Sequence, residues 1–376
     1  MKILHTSKII GIAGSENYLL NILPELVNKN VEIEFLSLVP LSSKGSEVVF
    51  NNKLIENNVK VHTVYYTKST IFSLKKIKKK IEDINPDIIH SHLIHADFTM
   101  AMVKKYFLPK IKLVSTKHGY EESYNNQYGF DPSHRKKDKY WRIASFSEKQ
   151  VNKSFAISKG LQNLYVGLGI CKKDKLNLIY YGFNFNQHKK LIVNKKLKES
   201  DNQLIIVGRL TGFKGHRHAI EAAHYLNKKG IDFKLLIVGS GPLQKELELQ
   251  ITELNLSNKV ILKGYQSNGA EYMASSDIVL VPSIAEGFGV VILEAMAVKK
   301  PIIAFNVSSL NEHIVNEESG ILIEPYDTIK FAEKIEELLN DRKLCQQFTQ
   351  KATVKLDEYY NLDRMVNETL QFYFSC

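Results

Sequence analysis

The sequence has few cysteines and no long apolar run, and both shortages limit what the protein can be. Its three cysteines, Cys171, Cys345 and Cys376, lie far apart and form no CXXC pair, so their spacing indicates neither a metal knuckle nor a disulfide framework. No apolar run reaches the roughly 20 residues of a membrane-spanning helix, and "MKILHTSKIIG" enters a strand pattern without the apolar core of a signal peptide. We therefore expect a cytoplasmic protein that is not integral to a membrane.

A complete dinucleotide-binding fingerprint is also missing. Neither "GIAGSEN" nor "VGSGPLQ" completes GXGXXG, which disfavours a nicotinamide-dependent oxidoreductase. The 376 residues, 44% of them hydrophobic, are nevertheless enough for two domains with well-buried cores.

Positive charge is concentrated in the first half of the chain. Residues 1–187 hold 28 Lys and Arg against 16 Asp and Glu, whereas residues 188–376 hold 23 against 24. This imbalance is compatible with an anionic partner, either a membrane surface or a nucleic acid, and equally with lysines that only keep the protein soluble.

Short β-like runs alternate with amphipathic helical stretches along the whole chain. The first series runs from "KILHT" to "LNLIYY" and the second from "QLIIVGR" to "KPIIAF", with the polar segment 186–203 between them. Such alternation is typical of parallel sheets covered by helices. We predict an α/β protein with two Rossmann-like domains, 1–185 and 186–359, whose parallel sheets face each other across a cleft.

The segment "EGFGVVILEAM" reads as a loop that starts a helix after the buried strand "DIVLVPS". Gly287 and Gly289 then lie at a helix N-terminus, where bare amides and the helix dipole favour an anion. Arg209 and Lys214, beside Gly208 in "VGRLTGFKGH", suit a diphosphate, because two cations there follow a strand. Glu286 and Glu294 would be repelled by phosphates.

The two glutamates are better explained as acceptors for sugar hydroxyls. Glu294 lies five residues beyond Gly289, about 7.5 Å along a helix. A sugar nucleotide carries diols on both sides of its diphosphate. Glu286 on the loop would therefore reach the sugar ring, and Glu294 would reach the ribose.

Histidines cluster after the predicted strands of the first domain. His90, His92 and His95 surround the fourth strand, and His118 follows the next one. Strand ends of this kind line the ligand site of open α/β sheets. We expect one of the four near the chemistry; His90 is open to a role as a core residue, and His118 to one that buttresses the cleft.

These motifs, in order, resemble the retaining glycosyltransferases of family 4, which have the GT-B fold. The resemblance rests on "PDIIHSHLIHAD", "TKHGYEE", "AISKGLQ", "LIYYGFN", "GRLTGFKGH" and "EGFGVVILEAM" with its E-X7-E spacing, and it extends over nearly the full chain. It implies that the C-terminal helix, 360–376, completes the first, acceptor-binding domain, and that the second binds the donor.

The resemblance also assigns roles. Arg209 and Lys214 would hold the diphosphate, Glu294 the ribose, and Glu286 the donor sugar; His92 would lie beside the reacting centre, with His95 in reserve. The donor cradle would comprise Gly14, Gly208, Gly287, Phe288, Gly289 and Val290. The family's GGXE loop reads "AGSE" here, so Gly14 and Glu16 match and Ala13 departs. Glu16, His95 and His118 are acceptor-side candidates.

The same resemblance implies a front-face reaction without metal or other cofactor, in which a phosphate oxygen takes the acceptor's proton. We expect a UDP-sugar as donor, with GDP-mannose next, and a glycan or lipid-linked glycan of an envelope, lipopolysaccharide or capsule as acceptor. The helical stretch "SLKKIKKKIEDI", residues 73–84, either packs its apolar stripe into the core or, with "RKKDKYWR", places lysines on the inner face of the plasma membrane.

Two other functions fit parts of the sequence. A sugar-nucleotide epimerase uses similar paired domains, but it needs an acid/base pair at the sugar and no acceptor. A nucleic-acid-binding protein would fit the basic charge, although the chain carries no recognised nucleic-acid motif and we expect no nucleic-acid partner.

Overall fold

A computed structural model describes residues 1–12, 14–29, 31–67, 71–135 and 138–376 of the chain. Its first half contains β1 (Lys2–Lys8), α1 (Gly14–Asn28), β2 (Glu32–Pro40), α2 (Val48–Glu56), β3 (Lys60–Tyr66), α3 (Ile71–Ile84), β4 (Ile88–His92), α4 (Leu93–Tyr106), β5 (Lys112–Lys117), α5 (Glu122–Tyr128), α6 (Lys139–Gln150), β6 (Lys153–Ala156), α7 (Lys159–Gly167) and β7 (Leu176–Leu178).

The second half continues the alternation. It contains β8 (Gln203–Val207), α8 (His216–Lys228), β9 (Lys234–Val238), α9 (Gln244–Glu253), β10 (Val260–Gly264), α10 (Gly269–Ala274), β11 (Ile278–Val281), α11 (Val290–Ala297), β12 (Ile302–Phe305), α12 (Leu310–His313), β13 (Ile321–Ile323), α13 (Thr328–Asn340), α14 (Arg342–Tyr359) and α15 (Leu362–Phe374).

The strands form two parallel sheets. The seven-stranded sheet has the order β3-β2-β1-β4-β5-β6-β7, and the six-stranded sheet has the order β10-β9-β8-β11-β12-β13. The strand order reverses between β1 and β4 in one sheet and between β8 and β11 in the other, which are the points where α/β sheets bind ligands. The predicted α/β class with two Rossmann-like parallel sheets is confirmed.

The chain divides into two compact units. The first comprises Met1–Glu121, Asp131–Phe183 and Asn361–Cys376, and the second comprises Glu122–Phe130 and Asn184–Tyr360. The units differ from the predicted boundaries by one or two residues at each end. They also differ at Glu122–Phe130, where α5 groups with the second unit and Asn126 Oδ1 accepts a hydrogen bond from the Phe213 amide at 2.9 Å.

Each unit has its own apolar core. In the first unit, Leu4 and Ile89 on the sheet pack with the stripe of α3, in which Leu74, Ile77 and Ile81 are buried. In the second unit, Ile206 and Ile237 pack with Phe305 and Phe331. Among the helices in the described ranges, none combines the length and the apolar character needed to cross a membrane.

Candidate functional site

The turn between β8 and α8 brings two cations together at the reversal point of the second sheet. The backbone here requires glycine at Gly215, where φ is +68° and a Cβ would lie 1.8 Å from the carbonyl oxygen of Pro282. The exposed Arg209 guanidinium and the half-buried Lys214 ammonium lie 5.9 and 5.7 Å from the centre of the same Phe213 ring. The two predicted diphosphate ligands therefore share one short turn.

Lys214 forms an ion pair with Glu286. Its Nζ lies 2.5 Å from Glu286 Oε1, and that oxygen also accepts a hydrogen bond from Ser283 Oγ at 3.0 Å. Both partners line a crevice at the ends of β8 and β11, which Gly208 and Val291 also line. The structure thus joins a predicted phosphate ligand directly to the predicted sugar ligand.

The loop before α11 is held by its neighbours. Gly289 caps the helix at φ +79°, and a Cβ there would lie 2.6 Å from Leu310 Cδ2. Ser309 Oγ donates to the carbonyl oxygen of Glu286 at 2.7 Å, and His313 Nε2 contacts the carbonyl oxygen of Phe288. Burial lowers the pKa of His313 to about 4, so at neutral pH its single ring proton can serve this hydrogen bond.

Glu294 lies on α11 one turn beyond the glycines and is half-buried. Burial raises the pKa of its carboxyl to about 7, and nearby Lys214 acts in the opposite direction. Within the described residues its side chain makes no hydrogen bond or ion pair. A desolvated carboxylate without a protein partner is suited to accept hydrogen bonds from a ligand's hydroxyl groups.

The glycine loop after β1 supplies a buried carboxylate to the first unit. Gly14 begins α1, and Glu16 in its first turn is buried and accepts a hydrogen bond from Ser15 Oγ at 3.0 Å. Ala13, the departure from the GGXE pattern, lies outside the described residues.

Imidazole and phenol groups form a buried hydrogen-bonded chain at the reversal point of the first sheet. This histidine chain runs, in order, through Tyr181, His118, His92, His5, Tyr373, His90 and Thr116. Five of its six links measure 2.6 to 3.1 Å between heavy atoms, and the sixth joins His118 Nδ1 to Tyr181 Oη. It connects β1, β4 and β5 to the C-terminal helix α15.

The four imidazoles of the histidine chain are neutral. Burial lowers the pKa of His5 and of His118 to about 3, and holds the pKa values of His90 and His92 well below their usual range. A neutral imidazole donates from one nitrogen and accepts at the other, which is what a linear chain requires.

The catalytic role of His92 stays a prediction, and its position limits what the ring can contact. Its side chain is fully buried, and its nitrogens pair with His5 and His118. His95, the reserve candidate, is exposed in the first turn of α4, where partial burial of its ring and nearby Lys8 lower its pKa.

Three rings of the histidine chain are close enough to suggest a metal site. Ring nitrogens of His5, His90 and His92 lie within 4.8 Å of one another. All six nitrogens of these rings already have hydrogen-bond partners inside the chain. The geometry therefore accounts for the cluster without assigning it an ion.

Comparison with known proteins identifies the family. The profile "Glycosyltransferase Family 4" matches residues 12–187, and "Glycosyl transferases group 1" matches residues 187–355. An uncharacterized glycosyltransferase of Methanocaldococcus jannaschii is 30% identical over 333 residues, which cover 85% of this chain and 84% of that protein. The chain belongs to glycosyltransferase family 4.

Two further relatives of this glycosyltransferase have named activities. N-acetyl-alpha-D-glucosaminyl L-malate synthase of Bacillus anthracis is 26% identical over 97% of this chain and 93% of its own length. The capsular polysaccharide biosynthesis glycosyltransferase CapM of Staphylococcus aureus is 30% identical over 54% of this chain and 55% of its own. The enzyme is thus related to capsule synthesis enzymes, as the sequence predicts.

Solved structures support the GT-B fold of the glycosyltransferase. Anabaena HepE, solved in complex with UDP and with UDP-glucose, aligns with a TM-score of 0.82 over the whole of both chains at 21% identity. This likeness confirms the predicted fold class.

Several residues around this candidate site were not predicted from the sequence. Ser283, Ser309 and His313 support Glu286 and the loop at Phe288, and His216 lines the crevice. His216 stands inside the quoted motif "GRLTGFKGH", which was the available signal. His5 and Tyr373 gave no comparable signal, because a strand histidine and a helix tyrosine are ordinary core residues.

Proposed function

We propose that this glycosyltransferase moves a sugar from a nucleotide-diphosphate sugar to a hydroxyl group of a glycan or lipid-linked glycan, with retention at the anomeric carbon and without a metal. A UDP-sugar is the first donor to test and GDP-mannose the second. The acceptor belongs to envelope or capsule polysaccharide synthesis.

The Lys214–Glu286 ion pair, beside the glycine-capped start of α11, is the observation that carries this proposal. An ammonium group has three donors, so Lys214 can keep Glu286 and also hold a phosphate oxygen. Arg209 adds a second cation from the same turn. A diphosphate at this place has positive groups beside it and carboxylates for the flanking hydroxyls.

These groups act on the reaction through charge. When the bond between the anomeric carbon and the phosphate oxygen breaks, negative charge grows on the leaving diphosphate. The acceptor oxygen bonds to the anomeric carbon on the same face, and its proton passes to a phosphate oxygen. Arg209 and Lys214 would stabilise the charge that appears in the transition state.

The names of similar proteins support the donor and acceptor classes. HepE has been solved with UDP and UDP-glucose, which favours uridine as the base. CapM is named for capsular polysaccharide, which favours a glycan acceptor. The Bacillus anthracis relative is named for L-malate, so a small hydroxy acid belongs in the acceptor screen.

We also propose peripheral contact between the basic first unit and an anionic membrane. At the start of α3 the Phe72 side chain is 81% exposed, next to exposed Ile71, Lys75 and Lys76. Apolar and cationic groups together suit a lipid surface. Lys136 and Lys137 of "RKKDKYWR" lie outside the described residues.

Vesicle sedimentation tests this membrane contact. We expect the protein to sediment with anionic but not with zwitterionic vesicles, and Phe72→Ser to weaken this sedimentation. Equal sedimentation with both kinds of vesicle would contradict the contact.

A thermal-shift screen tests the proposed donor. UDP, GDP, ADP and their sugar conjugates are added, with EDTA present, to the wild type and to Glu294→Ala. A ligand that binds the native state raises the melting temperature. We expect one nucleotide to raise it in the wild type and to lose this effect in the variant. A folded wild type that responds to no nucleotide would contradict the proposal.

Acceptor dependence separates transfer from epimerisation. Transfer requires that free nucleotide appear only when acceptor is present, whereas an epimerase converts the donor alone. Binding to RNA or DNA that falls steeply with salt, without nucleotide-sugar binding, would instead favour the nucleic-acid alternative.

A further inference from the structure

His216, the first residue of α8, carries a buried ring without a protein partner. Its side chain is 1% exposed, and within the described residues neither ring nitrogen makes a hydrogen bond. Only one ring nitrogen is buried without a hydrogen-bond partner in each of three other histidines, His188, His224 and His313. Buried polar groups in folded proteins nearly always have partners, so this ring calls for a partner that none of the described residues supplies.

The charge state of the ring defines that partner. Burial, assisted by nearby Lys214, lowers the pKa of His216 to about 4, so the ring is neutral at pH 7. A neutral imidazole offers one N–H donor and one lone-pair acceptor. A hydroxyl group or a water molecule can satisfy either nitrogen, because each both donates and accepts.

The crevice that His216 lines holds complementary groups. Lys214, Ser283 and Glu286 share this wall with the ring, and there is room for a group about the size of one water molecule. Lys214 supplies donors and Glu286 supplies an acceptor. A hydroxyl group in the crevice would therefore have polar neighbours on several sides.

We propose that His216 is a positioning residue of the donor site, whose neutral ring hydrogen-bonds a hydroxyl group that also contacts the Lys214–Glu286 pair. The hydroxyl belongs either to an ordered water or to the donor sugar. In both cases the ring fixes the direction of the ammonium and the carboxylate that receive the donor. This inference rests on the proposed function.

Replacement of the ring separates this role from simple packing. His216→Phe keeps a planar ring of similar size and removes both nitrogens. If the ring only fills space, the variant should be more stable than the wild type and equally active, because two unpaired buried polar atoms are lost. If the ring positions the pair, nucleotide affinity or turnover must fall.

The experiment measures Kd for UDP, GDP and UDP-glucose by calorimetry, and kcat and KM with the donor that the screen selects. His224→Phe, a half-buried histidine on the same helix, is the matched control. We expect His216→Phe to weaken binding or lower kcat by about five- to tenfold, the scale of one lost hydrogen bond. His216→Gln should recover most of the loss, and His224→Phe should behave as wild type.

The comparison of UDP with UDP-glucose distinguishes the source of the hydroxyl group. A loss shared by UDP and UDP-glucose assigns the hydroxyl to a water, and a loss confined to UDP-glucose assigns it to the sugar. Unchanged Kd, kcat and KM in His216→Phe overturn the role of His216 alone. Wild-type protein that binds neither UDP nor GDP contradicts the proposed function itself. If His216→Phe does not fold, His216→Gln and His216→Leu decide by the same measurements.

Discussion

Acidification from pH 7.5 to 5.5 should unfold the first unit, because the unfolded chain takes up protons that the histidine chain excludes. His5, His90, His92 and His118 have folded-state pKa values far below 6.5. A base with a lowered folded pKa stabilises the fold above its unfolded pKa, and this stabilisation is lost as the pH falls.

The size of the effect follows from linkage. With an unfolded pKa of about 6.5, each ring that stays neutral in the folded unit favours the unfolded state by roughly 1–2 kcal/mol at pH 5.5. Four such rings together remove several kcal/mol, which is comparable to the whole stability of a typical domain. In the second unit the pKa is lowered to about 4 for His216 and His313, and partial burial also lowers it for His188 and His218. The second unit should therefore lose stability too, but less than the first, because fewer of its rings are fully buried.

Hydrogen exchange at several pH values, read by mass spectrometry, can test this prediction unit by unit. Peptides from β1, β4 and β5 should lose protection between pH 6.5 and 5.5 while those from β8 and β11 remain protected. Equal protection of both units across this range, or earlier loss in the second, would show that the histidine chain does not limit the stability of the first unit at low pH.

Four substitutions in the second unit test the donor site. In steady-state kinetics, Lys214→Met should lower kcat by about 10²–10³-fold, the scale of one lost transition-state donor, and Arg209→Lys should lower it less. An unchanged kcat in Lys214→Met would show that Lys214 does not act in the reaction. Gly289→Ala should lower the free energy of unfolding by about 1–3 kcal/mol in denaturant titrations, because its φ is +79° and Leu310 lies in the way; unaltered stability would contradict the need for glycine. UDP affinity should fall as the pH drops from 8 to 6, because protonation removes an acceptor from Glu294, whose pKa is about 7. Glu294→Gln should bind UDP weakly at every pH. If the affinity of this variant still depends on pH, the titrating group is not Glu294.

The fold could be predicted from the sequence because of its hydrophobic periodicity and the length of its strands. Most strands through β12 contain an apolar run next to a glycine, a proline or a polar turn. β13 was not predicted: its apolar run Ile321–Ile323 ends at Glu324, whereas β7, which is equally short, continues into the apolar residues "IYY". The grouping of Glu122–Phe130 with the second unit depends on a tertiary contact, the Asn126–Phe213 hydrogen bond, which no local pattern encodes.

The residues of the proposed donor site could be named from the sequence because their chemistry is local. Glycines at a helix start and cations after a strand carry their function in short motifs. Partners were not predictable: the pairing of Lys214 with Glu286 joins residues 72 positions apart, and the link from His90 to Tyr373 spans 283. Contacts between residues so far apart in the sequence are determined by sheet order and helix packing.

Calorimetric titration with UDP in the presence of EDTA, on wild type and Lys214→Met under the same conditions, tests whether the Lys214–Glu286 pair holds the diphosphate. We expect one binding site per chain in the wild type and a strong loss of affinity in the variant. Equal UDP affinity in the two proteins would contradict the placement of the diphosphate at the Lys214–Glu286 pair.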